Sequence, residues 1–149
     1  LEWLQGLSKL PLILKGVIRE DDAVRARDHG VAGLIVSNHA GQGLRYSQPV
    51  AHALPAIVEA VGRDIEVFAD SGIRTGFDAL RALALGAKAV LVGRPVLWGL
   101  AAGGTQGVER VFEILQAELA EAMAITGAPT IAAIDRSVLA SSFTPRANG

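Results

Sequence analysis

The sequence contains no cysteine. That excludes a disulfide framework, thiolate metal ligands and a cysteine nucleophile, and it fits a reducing compartment, so the cytoplasm is the expected location. Aromatic residues are scarce, with two Trp, one Tyr and four Phe. Ala, Val, Leu and Ile must therefore fill the core. Charge of one sign is missing too: 14 Lys and Arg stand against 15 Asp and Glu, scattered along the chain. Without a basic tract there is no electrostatic footprint for nucleic acid and no polybasic membrane anchor. No apolar run reaches the roughly twenty residues a membrane span needs, and no signal-peptide pattern is present. No cluster of His, Asp and Glu has metal-ligand spacing, and no G-x-S-x-G nucleophile turn occurs. The chain opens at Leu1 rather than Met, which suggests a piece of something longer.

What remains is one domain's worth of chain, half of it apolar. Short apolar runs alternate with helix-period stretches. Leu10 to Gly16, Gly33 to Ser37, Ile65 to Ala69 and Ala89 to Val92 read as buried strands. Helices follow from Glu20 to Gly30, from Pro49 to Gly62 and from Gly76 to Leu85. A short helix from Pro95 to Ala102 breaks at Gly103-Gly104, and a long amphipathic one runs from Val108 to about Ile125. Val111, Ile114, Leu115, Leu119, Ala122 and Met123 form its apolar stripe. Residues 1–140 read as the folded part and the polar stretch 141–149 as a flexible tail.

Four strand–helix repeats require a parallel sheet with right-handed crossovers. The expected class is α/β of the (β/α)8 TIM-barrel type, with four βα units and C-terminal helices. A doubly wound open sheet is the alternative, but no G-x-G-x-x-G follows the first strand. Lys15, His39, Asp70, Arg74 and Arg94 all fall at or after strand C-termini, the end where a βα barrel builds its site.

Two strand ends break at Gly and present an Arg: Asp70-Ser71-Gly72-Ile73-Arg74 and Val92-Gly93-Arg94-Pro95. Backbone N–H groups, a guanidinium and a glycine that admits close approach are the parts of a phosphate grip. Lys15 is either a snorkelling surface cation or a cation held against a developing anion. His39 is either structural or, since a free imidazole titrates near neutrality, a base. Asp70 is either a turn carboxylate or an acceptor for hydroxyls of a sugar-like chain.

Lys15-Gly16, Ser37-Asn38-His39, Asp70-Ser71-Gly72-Ile73-Arg74-Thr75-Gly76, Ala82-Leu83-Ala84-Leu85-Gly86-Ala87 and Gly93-Arg94-Pro95 occur in this order from about Leu10 to Leu139. Together they resemble the C-terminal half of the FMN-dependent α-hydroxy acid oxidase and dehydrogenase family, which oxidises glycolate, lactate and mandelate. The resemblance implies a flavoprotein barrel with FMN at its mouth, the strands here being the last four. It implies that Lys15 and Ser37 contact FMN, that Asp70 binds the ribityl hydroxyls, and that Ser71, Gly72, Ile73, Arg74, Gly93 and Arg94 hold the phosphate end. His39 would be the base. It also implies a homo-oligomer, with tetramers common, and dependence on an N-terminal half that supplies further contacts.

One loop departs from the family. After His39 the chain runs Ala40-Gly41-Gln42-Gly43-Leu44-Arg45, so Gln42 stands where the family has its substrate-carboxylate Arg. An amide does not replace a bidentate guanidinium. Such a loss costs on the order of 2–5 kcal/mol of binding. Either Arg45 substitutes, or the substrate is not a simple 2-hydroxy acid, for example a modified peptide. Competing expectations are a flavin-holding module without turnover, a different flavin chemistry such as isoprenoid isomerisation, and an inactive fragment.

Overall fold

The structure is a computed structural model that describes residues 1–43 and 46–140. Arg45 and the tail expected to be flexible lie outside the described residues. A short helix α1 (Glu2–Leu7) precedes strand β1 (Ile13–Val17), helix α2 (Glu20–Asp28), strand β2 (Gly33–Val36), helix α3 (Val50–Val61), strand β3 (Glu66–Ala69), helix α4 (Gly76–Ala84) and a long, kinked helix α5 (Arg94–Thr126). The strands form a parallel sheet in the order β1-β2-β3.

Local chemistry explains each boundary. Glu20, Asp21 and Asp22 occupy the first turn of α2, where the helix dipole favours carboxylates, and Arg25 and Arg27 occupy its last. The left-handed Gly30 follows. Pro49 is the N-cap of α3 rather than its first residue. Thr75 and Asp78 form a reciprocal capping box at the start of α4. Apolar residues of the sheet and α3 meet in one core: Leu34, Val36, Leu54, Ile57, Val61 and Val67 are buried. Each such side chain contributes about 1.5–3 kcal/mol of transfer free energy.

Two expectations change. The segment expected as a fourth strand, Ala89 to Val92, makes only a single parallel bridge, Ala69 to Val90. Three backbone hydrogen bonds join it to β3, from Lys88 N–H to Val67 O, from Ala69 N–H to Ala89 O and from Leu91 N–H to Ala69 O. The ladder stops there because the chain beyond β3 leaves extended backbone, with positive φ at Ser71 and Gly72. The second change concerns the stripe on α5. Val111, Leu115, Leu119, Ala122 and Met123 are at least partly buried, while Ile114 stays exposed. The expected break at Gly103-Gly104 is present as two residues with non-helical backbone. It folds the two parts of α5 back so closely that a Cβ at Gly99 would lie 2.5 Å from Gly107 O. Gly76 is pressed on α5 as well, where a Cβ would collide with the backbone of Leu115 and Leu119.

Candidate active site

Lys15 lies within β1 rather than after it. The β1–β2 register slips between Lys15 and Val17, and Gly16 takes φ +99° there. Such a bulge re-aims neighbouring side chains. Lys15 Nζ comes within 2.6 Å of Asp70 Oδ2 and within 3.2 Å of Ser37 Oγ, so a residue of β1 meets residues that follow β2 and β3. Ser37 is buried, and its hydroxyl donates to Asp70 Oδ2 at 2.8 Å.

A hydroxyl oxygen has two lone pairs to offer. Three donors approach that of Ser37: Lys15 Nζ, the His39 N–H at 3.1 Å, and the Ser71 hydroxyl at 3.2 Å. Ser71 Oγ in turn accepts the Ala40 N–H at 3.1 Å. Ser37 has one proton and donates it to Asp70, so in its contact with Ser71 the Ser71 hydroxyl is the donor. The hydrogen bonds run from the Ala40 amide to Ser71, from Ser71 to Ser37 and from Ser37 to Asp70.

Burial acts to raise the Asp70 pKa. The hydrogen bonds from Lys15, Ser37 and the Ser71 backbone, with the Lys15 charge, outweigh it and hold the carboxyl below the usual carboxylate range. The pair is only partly screened: 18 % of the Asp70 side chain and 41 % of the Lys15 side chain is exposed.

His39, Ala40 and Gly41 form a turn of 3-10 helix in which all three residues have positive φ, at 52°, 56° and 77°. Ser71 and Gly72 are left-handed as well, at 78° and 87°. For His, Ala and Ser this backbone costs of order 1–3 kcal/mol each, and such strain concentrates at functional sites. The His39 side chain is exposed and makes no hydrogen bond among the described residues.

An open cleft of about 190 Å³ gathers most of the expected site. It is lined by Lys15, His39, Gln42, Asp70, Ser71, Gly72, Ile73, Gly93 and Arg94, with Ala40, Leu91 and Leu97. Ser37 lies beneath it, hydrogen-bonded to Lys15 and Asp70. Arg74 does not line it; the side chain is exposed, and its backbone N–H is taken by Asp78 Oδ2 at 3.1 Å. The start of α4 offers few free donors: Thr75 caps the Asp78 amide and Glu118 Oε2 accepts the Gly76 N–H at 2.7 Å. The start of α5 differs, since among the described residues no side chain caps it and Arg94 is its first residue. Sequence reasoning missed Ala40, Leu91, Leu97 and Glu118. Glu118 carried no signal, because its partner is 42 residues away. Gly41 was the one hint of a left-handed turn.

Fold and site define a parallel α/β protein with a charged cluster and a glycine-lined cleft at one end of its sheet. The chain belongs to the FMN-dependent dehydrogenase family, whose model matches residues 1–141. It is similar to the L-lactate oxidase of a Nostoc species, at 54 % identity across 93 % of this chain and 38 % of that protein. Human 2-hydroxyacid oxidase 1 is 48 % identical across 93 % of this chain and 38 % of its own length. A solved mandelate oxidase mutant with the monooxide FMN adduct superposes with a TM-score of 0.87 at 46 % identity, covering 91 % of this chain and 43 % of that one. The chain thus spans less than half the length of these relatives.

Proposed function

We propose that this chain is the FMN-holding and catalytic portion of an oxidoreductase that converts a 2-hydroxy acid to the 2-oxo acid. The observation that carries this reading is the single cleft shared by Lys15, His39, Asp70 and Arg94. By the same reading, β1 to β3 and residues 89–92 are the last four strands of a (β/α)8 barrel. The other half would come from outside this chain, and the assembled protein would be a homo-oligomer in the cytoplasm.

The residues fit a flavin nucleotide. Among the described residues, both side-chain partners of Asp70 sit on Oδ2, which leaves Oδ1 to accept from ribityl hydroxyls. At Gly72 and Gly93 an added Cβ would meet nothing within 4 Å among the described residues, so the backbone is open there to a close-lying ligand. The uncapped start of α5, with the Arg94 guanidinium, suits a phosphate, and Ser71, Gly72 and Ile73 form the facing wall. Arg74 would close on it from the loop. When bound, FMN supplies the two-electron redox chemistry. The remaining work falls to the chain. Lys15 holds positive charge at the cleft and favours a developing anion there. His39, its imidazole unengaged among the described residues, takes the proton released as the substrate α-carbon is oxidised. Gln42 and Arg45 would face the substrate.

Gln42 supports a second reading, a non-carboxylate substrate such as a modified peptide, because its neutral amide lines the cleft. The test is the flavin absorbance of the complete protein under anaerobic conditions. Bleaching by glycolate, lactate or mandelate is expected. Flavin that stays oxidised with all three, while Gln42→Arg bleaches, would favour the second reading. Absence of flavin binding would overturn both.

A further inference from the structure

Among the described residues only four non-glycine positions have positive φ: His39, Ala40, Tyr46 and Ser71. Three of the four are joined by one pair of hydroxyls. Ser71 Oγ accepts the Ala40 N–H at 3.1 Å, and it lies 3.2 Å from Ser37 Oγ, which accepts the His39 N–H at 3.1 Å. His39 has a local partner, the Ser37 hydroxyl two residues back, whereas Ala40 is held by a hydroxyl 31 residues away. Both residues prefer the right-handed or extended backbone. The two amides are held from outside the turn, by side chains at the ends of β2 and β3.

We infer that Ser71 is a positioning residue: its hydroxyl latches the Ala40 amide and so fixes the left-handed turn that presents the His39 imidazole to the cleft. This role is separate from any contact Ser71 makes with a phosphate. It also ties the turn to Asp70. With the Ser37 proton given to the Asp70 carboxylate, the Ser71 hydroxyl is the donor in its contact with Ser37. The placement of His39 thus depends on a charged pair contributed by two other strands. The mechanistic part rests on the reading of His39 as the base; the latch itself does not.

The test combines hydrogen exchange with turnover in the complete, flavin-loaded protein. Ser71→Ala removes the hydroxyl and keeps the Cβ. Ser71→Gly removes the hydroxyl together with the left-handed penalty, so it guards against a variant that fails to fold. In both, exchange of the Ala40 amide is expected to quicken about tenfold, the scale of one lost hydrogen bond. The same increase is expected in protein stripped of flavin. Turnover should fall in kcat more than in KM. Adding Ala40→Gly, which makes the left-handed turn accessible without a latch, should restore part of the kcat lost in Ser71→Ala. Unchanged Ala40 exchange, with only the flavin dissociation constant raised, would overturn the proposal and leave Ser71 a cofactor contact. Fast exchange in a protein that turns over no hydroxy acid would uphold the latch and sink the 2-hydroxy acid reading.

Discussion

Lys15, Ser37, Asp70 and His39 form a small electrostatic machine whose behaviour follows from its bonds. Burial pushes the Asp70 pKa up, but its donors win and hold it down. The folded state therefore binds that proton less readily than the unfolded chain. Asp70 contributes stability above the ordinary carboxylate range, and the contribution is lost as pH falls through the lowered value. Asp70→Asn should cost about 1–2 kcal/mol at neutral pH, a charged hydrogen bond discounted for the exposure of Lys15. In thermal melts run from neutral pH into acid, the gap between parent and variant should narrow. A gap that widened would contradict the assignment. On the proposed reading, replacing His39 by Ala should lower turnover of the complete protein by about 10²–10⁴-fold while it stays yellow. Turnover of parent and variant with the same acid, beside their flavin content, checks this.

The elements were legible in the sequence where period and punctuation agreed. The residues Glu20-Asp21-Asp22 and Gly30 bracket α2, and Gly103-Gly104 marks the kink of α5. Candidate site residues were legible because strand ends in a parallel sheet converge: Lys15, Ser37 and Asp70 meet within 3.2 Å. The rest depended on tertiary partners. Ala89 to Val92 has strand composition, but the chain it pairs with turns left-handed at Ser71 and Gly72, which ends the ladder. The His39 amide is held by Ser37, two residues back, but the Ala40 amide is held by Ser71, 31 residues away. No local rule reaches that second partner. The α4–α5 contact was likewise invisible, and it carries a prediction. A methyl at position 76 meets α5 backbone, which has no rotamer to yield. Gly76→Ala should destabilise by about 1–3 kcal/mol, the usual cost of overpacking. Denaturant unfolding with an unchanged m-value is the check.

Taken whole, the molecule leaves much of its apolar surface uncovered. Trp3 and Leu7 on α1 are exposed, as are Leu10 and Ile13 at the start of β1, which among the described residues is an edge strand of the sheet; Leu97, Trp98 and Leu100 are exposed on α5. An open strand edge flanked by apolar side chains is a template for association. The 149-residue chain expressed by itself should bind an apolar dye and sediment as more than a monomer. Replacing Ile13 and Leu10 by Lys should reduce both signals. A dye-silent monomer would count against an uncovered interior.

The carboxylate of Glu118 bears on where such a protein can be cut. It reaches back from the far limb of α5 to seal the first amide of α4, so the segment after residue 93 is a keystone for the loop that begins at Asp70. Trimming the chain just past Arg94 would keep every residue that touches the cleft except Leu97, yet leave that seal behind. The shortest excisable piece that preserves the pocket wall therefore extends through the second limb of the last long helix.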